Sequence, residues 1–194
     1  MEQTDREQEW IRRAQSGQVG AFDALVRAYE TLAFRAAYLI THDEQEAADA
    51  AQDAFVRAYR ALNSFRLGEP FRPWLMRIVT NQALNRIEAQ KRRGKMTDRY
   101  MQAMNESTDP SSVQRHLETR EQNERLMRAV SRLKPDEQTL ITLRYFLELP
   151  ENEVAQALNI PLGTVKSRLH RTLAKLRAVI QTEFPDLAEL TLEH

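Results

Sequence analysis

Apolar residues recur along this 194-residue chain with the spacing of amphipathic helices, and one long polar stretch interrupts the pattern. The segment AFDALVRAYETLAFRAAYLI, residues 21–40, repeats apolar side chains every three or four positions, as a helix with one buried face does. Alternating runs rich in Val, Ile and Thr, which signal strands, do not occur. Only 5 glycines and 7 prolines interrupt the chain. The pattern predicts an all-α fold, helical from about residue 10.

The polar stretch divides the predicted fold into two small helical domains. Residues 94–121 show little apolar periodicity, and we expect them to form a flexible linker whose ends lie about 30 Å apart. The predicted domains are a helical bundle over residues 1–93 and a smaller helical unit over residues 122–180. Residues 181–194 form a C-terminal tail, whose final LEH is typical of a cloning remnant.

The composition excludes several classes of protein. The chain has no cysteine, which rules out disulfides and thiolate catalysis, and its 4 histidines are scattered without metal-ligand spacing. We therefore expect no enzyme activity, no metal and no cofactor. The polar, acidic start is unlike a secretory signal, and no apolar run approaches the ~20 residues that span a bilayer. These features predict a cytoplasmic protein.

Charge is balanced over the whole chain but not locally. Lys+Arg and Asp+Glu both number 28. Residues 43–53 contain five acidic and no basic residues, whereas residues 86–95 contain five basic residues and one acidic residue. Residues 162–177 contain five basic residues and none that is acidic. Two basic helices and one acidic helix indicate partners of opposite charge.

The C-terminal basic stretch, IPLGTVKSRLHRTLAKLR (residues 160–177), has the pattern of a DNA-recognition helix. Val165, Leu169 and Leu176 fall on one face of the predicted helix, and the basic residues fall on the other. A short helix and a tight turn precede it, so we expect a helix-turn-helix that enters the major groove. Gly163 would allow a close backbone approach to DNA. The alternative is a solvated charged face, and the absence of acidic residues favours DNA.

The other basic helix, over residues 73–93, has a surface suited to unpaired bases. Its predicted polar stripe consists of Trp74, Arg77, Asn81, Asn85, Glu88 and Arg92. Aromatic, amide and guanidinium groups stack on bases and bind phosphates. The preceding Gly/Pro-containing loop carries Phe65 and Phe71 and could hold a base removed from its stack. The alternative is that these aromatic residues belong to the core.

Three stretches together resemble the extracytoplasmic-function (ECF) group of bacterial sigma factors, which keep conserved regions 2 and 4. The stretches are EAADAAQDAFVRAYRALNSFR, FRPWLMRIVTNQALNRIEAQKRR and LPENEVAQALNIPLGTVKSRLHRTLAKLR. The resemblance covers about residues 21–93 and 123–178. It implies a protein that binds core RNA polymerase, recognises a promoter through a −35 and a −10 element, and helps to open the DNA.

The resemblance, together with the chemistry of the residues, assigns candidate contacts. The candidates for the −35 element are Gly163, Thr164, Lys166, Ser167, Arg168, His170, Arg171 and Lys175. The candidates for the −10 element are Phe65, Arg66, Phe71, Trp74, Arg77, Asn81, Asn85, Arg92 and Arg93. The resemblance implies that Asp49, Gln52, Asp53 and Val56 meet the β′ coiled coil of polymerase, and that residues 126–146 meet the β flap. It also implies an anti-sigma factor, often membrane-bound in this family, as a partner.

The sequence departs from the family pattern at Pro70, where a small residue is usual, and His170 is one of several residues used at its position. These departures leave the promoter sequence undecided.

The main alternative function is a sigma-like decoy that sequesters an anti-sigma factor, although Lys166, Arg171 and Asn81 favour promoter binding. A response regulator would need an α/β receiver domain, which the helical pattern does not support. Because the net charge is zero, we expect weak, salt-sensitive DNA binding by the free chain and specific binding in the holoenzyme.

Overall fold

The computed structural model describes residues 2–92 and 125–189, and this part of the chain contains helices and no strand. The N-terminal unit consists of α1 (Glu2–Gln15), α2 (Val19–Thr41), α3 (Glu44–Ala61), a 3₁₀ turn (Leu62–Ser64) and α4 (Phe71–Arg92). The C-terminal unit consists of α5 (residues 125–131), α6 (Pro135–Ile141), a π turn (Thr142–Phe146), α7 (Glu151–Leu158), α8 (Leu162–Glu183) and α9 (Pro185–Glu189). The all-α prediction is confirmed. The predicted linker and Arg93 lie outside the described residues.

The connection between α2 and α3 is built by two local features. His42 adopts a left-handed conformation (φ 55°), and its N–H donates to the carbonyl of Tyr38, which ends α2. The side chain of Asp43 accepts from the N–H of Glu46 at 2.9 Å and caps the start of α3. The buried face of α3 consists of five alanines, so α2 and α4 can approach it closely.

Local features also begin and end the short helices of the C-terminal unit. Pro135 stands in the first turn of α6, where its missing N–H costs no hydrogen bond. Asn159 is left-handed (φ 54°) and ends α7. Pro161 then precedes α8, and two backbone hydrogen bonds from Thr164 and Val165 to its carbonyl start the next helix. The short α7, the tight turn and α8 form the expected helix-turn-helix.

One hydrophobic core runs through both units. Leu25 of α2 and Leu75 of α4 belong to the same buried cluster as Leu143 and Val154 of the C-terminal unit. In the fold, α4 packs against α7, and α2 packs against α6 and the π turn. A smaller cluster around Val130 closes the far side of the C-terminal unit. The two units are therefore packed together, an arrangement that the sequence pattern did not decide.

Polar contacts add to this packing between the units. The guanidinium of Arg72 donates two hydrogen bonds to the carboxylate of Glu153, each 2.7 Å long. Nε2 of His42 lies 3.3 Å from Oε1 of Gln138. Burial lowers the pKa of His42, and the contact with Gln138 offsets only part of that effect, so the imidazole is neutral at neutral pH. None of the described helices is long and apolar enough to cross a membrane.

Removing the Glu153 carboxylate tests the contact between the units. We expect Glu153→Ala to lower the free energy of unfolding by about 1 kcal/mol, because a paired, charge-assisted hydrogen bond is lost from a site that is partly open to solvent. Denaturant unfolding measures this difference. Glu151→Ala is the matched control, since Glu151 lies in the same first turn of α7 and faces Lys166 of its own unit. Equal effects of the two substitutions would contradict a specific contact.

Candidate nucleic-acid interface

The predicted −35 residues lie on one exposed face of α8. Val165, Leu169, Thr172 and Leu176 are at most 8% exposed and hold the opposite face against the C-terminal unit. The residues that turn outward are Lys166, Ser167, Arg168, His170, Arg171 and Lys175, all of them exposed. Gly163 is also exposed and Thr164 is half-buried, both at the start of the same face. The arrangement can present a row of long donors to a groove, and the individual DNA contacts stay predictions.

Two carboxylates from neighbouring helices border this basic face. Nζ of Lys166 lies 4.0 Å from Glu151 of α7, and Nζ of Lys175 pairs with Glu137 of α6. Burial raises the pKa of Glu137, but hydrogen bonds from Lys175 and the Lys134 backbone N–H outweigh it and keep that pKa below its usual value. The basic face contains no acidic residue of α8 itself, but acidic residues of α6 and α7 lie beside it. DNA phosphates would have to replace these partners.

Gly163 is not required by the packing of the protein. A β-carbon at this position would meet no heavy atom within 4 Å, and the residue lacks a positive φ angle. The space beside it is open to an approaching molecule. The packing of the protein therefore gives no reason for a glycine at this position, and the close approach of DNA stays a prediction.

We predict that Gly163→Ala separates stability from DNA binding. Alanine should raise the free energy of unfolding by up to about 1 kcal/mol, because glycine loses more conformational entropy in a helix. Binding to a −35 duplex should weaken, since the new methyl group occupies the backbone approach. Thermal unfolding and duplex binding by the holoenzyme measure the two effects. Unchanged duplex binding would show that the position has no role in contacting DNA.

The polar stripe of α4 is exposed in the structure. Arg77, Asn81, Asn85, Glu88 and Arg92 are open to solvent. Trp74, at the start of the stripe, is half-buried. Leu75, Met76, Val79 and Ala83, on the opposite face, have no exposed surface. The helical spacing therefore predicted correctly which side of α4 faces outward.

A groove between α3 and α4 adds two cations that the sequence analysis missed. Arg57 and Arg60 of α3 line it together with Asn81 and Asn85 of α4, and its volume is about 910 Å³. Both arginines are exposed. They continue the helical face of α3 that carries the acids Glu46, Asp49 and Asp53, about one to four turns further along. The change from acidic to basic residues along this face was the sequence signal that could have predicted the two arginines. The groove combines phosphate-binding guanidinium groups with base-binding amide groups.

The predicted base-capture loop, residues 65–72, overlaps the segment between α3 and α4, here called the connecting loop (residues 62–70), and it is anchored by aromatic packing. Phe65 is 6% exposed and Phe71 is fully buried. The ring of Trp74 packs on both, with centroid distances of 5.0 Å and 5.3 Å. This packing agrees with the alternative left open by the sequence, in which the aromatics belong to the core. Residues 66–70 are exposed, and Arg66 and Leu67 carry the long side chains at the tip of the loop.

The predicted polymerase-binding residues share one face of α3. Gln52, Asp53 and Val56 are exposed, and Asp49 is half-buried. Although residues 43–53 contain no basic residue, these acids are opposed in the fold. Arg86 of α4 pairs with Glu46 at 2.9 Å, with Asp49 at 3.1 Å and with Asp53 at 2.8 Å. A single guanidinium orients three carboxylates and neutralises part of their charge.

Replacing Arg86 should expose the repulsion among these acids. We expect Arg86→Met to lower the free energy of unfolding by about 1–2 kcal/mol at low salt, because three charge-assisted hydrogen bonds are lost. High salt should restore part of the loss by screening the carboxylates. Denaturant unfolding at two salt concentrations measures both effects. Arg86→Lys keeps the positive charge but lacks the planar guanidinium that donates to several carboxylates at once, so its free energy of unfolding should lie between those of the wild type and Arg86→Met. A loss of stability that does not depend on salt would contradict the electrostatic explanation.

Comparison with known protein families matches both helical units. The family described as Sigma-70 region 2 matches residues 25–93. The family described as Sigma-70, region 4 matches residues 123–176. The first segment contains α3, the connecting loop and α4, and the second contains the helix-turn-helix. The acidic face of α3 and the polar stripe of α4 thus lie within the first matched segment, and the basic face of α8 lies within the second.

Named relatives align with this chain over most of its length. The RNA polymerase sigma-H factor of Pseudomonas aeruginosa is 33% identical over 183 residues, which cover 91% of this chain and 95% of the relative. The ECF RNA polymerase sigma factor SigW of Bacillus subtilis is 32% identical over 178 residues, with coverage of 86% and 92%.

Solved structures with similar folds include two complexes. One is described as CnrH in complex with the cytosolic domain of CnrY; it has a TM-score of 0.67, 24% identity, and coverage of 92% of this chain and 99% of that one. The other is the sigma factor RpoE in complex with the anti-sigma factor NepR from Bartonella quintana, with a TM-score of 0.60, 19% identity, and coverage of 84% and 98%. At these identities the likeness concerns the fold.

Proposed function

This chain belongs to the ECF group of sigma-70 RNA polymerase sigma factors, which act in transcription initiation, and we propose that it directs polymerase to promoters with a −35 and a −10 element. The observation that carries this proposal is the pair of exposed surfaces on one chain. The basic face of α8 fits a major groove, and the stripe of α4 fits an unpaired strand.

The proposed division of roles follows from the chemistry of each surface. Lys166 and Arg171 supply long cationic donors on the exposed face of α8, as readout of a duplex requires. Asn81 and Asn85, beside Arg57 and Arg60, supply amide and guanidinium groups in an open groove for the −10 strand. The acidic face of α3 would bind the basic β′ coiled coil, and residues 126–146 the β flap.

We also propose an anti-sigma factor as a partner. Support comes from the solved complexes of similar fold, of which the Bartonella quintana structure is described as containing an anti-sigma factor. That this partner is membrane-bound stays a prediction, as do the cytoplasmic location and the domain boundaries 1–93, 122–180 and 181–194. The family is one of transcription regulators, and polymerase supplies the chemistry of nucleotide transfer in the proposed role.

Charge reversal on α8 tests the proposal. The double substitution Lys166→Glu and Arg171→Glu should reduce initiation more than about tenfold, because each cation–DNA contact contributes about 1–3 kcal/mol. The templates are promoters identified by sequencing the 5′ ends of transcripts that wild-type holoenzyme makes on genomic DNA. Affinity for core polymerase should not change.

The control is Arg6→Glu with Arg13→Glu, an equal change of charge on α1, outside both matched segments. This variant should initiate at the wild-type rate. Equal initiation by the α8 variant and the wild type would contradict the proposed −35 contact. A wild-type chain that binds an anti-sigma factor but starts no transcript with core polymerase would indicate the decoy function.

A further inference from the structure

We propose that two glutamines of α1, Gln8 and Gln15, are positioning residues that hold the connecting loop in the shape that discriminates between −10 bases. The inference rests on the proposed function and on the sequence-based prediction that this loop holds a base of the −10 element. Its evidence is a set of four hydrogen bonds between α1 side chains and the main chain of the loop. α1 lies before the segment that matches Sigma-70 region 2.

Gln15 holds the start of the loop. Its side-chain Nε2 donates to the carbonyl oxygens of Leu62 and Phe65, each at 2.9 Å. These carbonyls lie at the two ends of the 3₁₀ turn, and the N–H of Phe65 also donates to the carbonyl of Leu62 at 2.9 Å. The contacts are partly buried, so they compete less with water than surface hydrogen bonds do. One amide group thus fixes how the chain leaves α3.

Gln8 holds the tip of the loop. Its Nε2 donates to the carbonyl of Glu69 at 2.9 Å, and its Oε1 accepts from the N–H of Gly68 at 2.8 Å. The reversed amide would place two donors face to face, so these partners fix its orientation. Gly68 has φ +89° in a turn closed by the Glu69 N–H and the carbonyl of Arg66. That φ angle is one that glycine adopts readily.

The geometry of α1 makes both contacts possible at once. Gln8 and Gln15 are seven residues apart, so they lie on the same helical face with a separation of about 10 Å along the axis. Ile11 lies between them on that face and is fully buried in the core. The carboxylate of Glu7 accepts a hydrogen bond from the hydroxyl of Tyr29 in α2. The helix that carries the glutamines is therefore fixed to the bundle.

The arrangement determines how Arg66 and Leu67 are presented. Both residues are exposed in the turn that Gln8 holds, and Leu67 is 46% exposed although it is apolar. An apolar side chain and a guanidinium at a rigid tip can contact a base removed from its stack. A loop that is held in one shape discriminates better, because it cannot re-form around an incorrect base. Without the glutamines, the turn would sample other shapes and accept more bases.

The test uses methionine, which has nearly the size of glutamine but lacks its amide. Gln8→Met, Gln15→Met and the double variant are compared in holoenzyme on promoters with single-base changes in the −10 or −35 element. The ratio of cognate to substituted −10 initiation should fall about threefold to tenfold in the double variant, as the loss of hydrogen bonds implies. The corresponding −35 ratio and the affinity for core polymerase should stay at their wild-type values.

Gln18→Met is the matched control, since Gln18 is an exposed glutamine just beyond α1 that accepts from Arg13. It should behave as the wild type. A second readout needs no promoter: amide exchange of Gly68 in the free protein should accelerate in Gln8→Met. Gln8→Glu keeps the acceptor for the Gly68 N–H and should leave this exchange slow.

Two outcomes would overturn the inference. One is an unchanged −10 ratio in a variant whose Gly68 exchange has accelerated. The other is a parallel fall of the −10 and −35 ratios together with stability, which would indicate general destabilisation. Failure of the proposed function is a different result, because wild-type holoenzyme itself would then show no dependence on the −10 sequence.

Discussion

The structure depends on the burial of one face of α4. Leu75, Met76 and Val79 have no exposed surface, and they pack against α2 and α3. Because that face is fixed, the opposite stripe from Arg77 to Arg92 is fixed toward solvent. The same helix packs against α7, so it also joins the two units. A change in the buried face of α4 would therefore affect the bundle, the proposed −10 surface and the placement of the helix-turn-helix together.

Sequence periodicity was sufficient to predict that the chain is helical and which faces of α4 and α8 are buried. It predicted the buried positions of α8, such as Val165 and Leu169, and the exposed stripe of α4, because both follow from 3.6 residues per turn. It did not predict the full extent of α1, which begins at Glu2 rather than near residue 10. The first turns of α1 are polar, and the loop groups that Gln8 contacts are 60 and 61 residues away in the chain.

Contacts between distant segments explain the other differences. No pattern within α3 indicates that Arg86 pairs with Glu46, Asp49 and Asp53, since that pairing depends on how α4 crosses α3. The pairing of Lys175 with Glu137 depends likewise on how α6 meets α8. Phe65 is buried because the loop places its ring against Phe71 and Trp74 at the start of α4, which the order of residues along the chain cannot show. The acidic face of α3 and the basic face of α8 thus contain ion pairs within the protein that a partner must rearrange.

Site-specific photo-crosslinking in the open promoter complex tests the central claim most directly. A photoreactive residue at Asn81 should crosslink to the unpaired DNA of the −10 element, and one at Ser167 should crosslink to duplex DNA of the −35 element. The same probe at Glu148, an exposed residue outside both surfaces, should crosslink to neither element. If Asn81 and Ser167 gave no crosslinks, or crosslinked with the elements exchanged, the assignment of α4 to the opened strand and α8 to the groove would be contradicted.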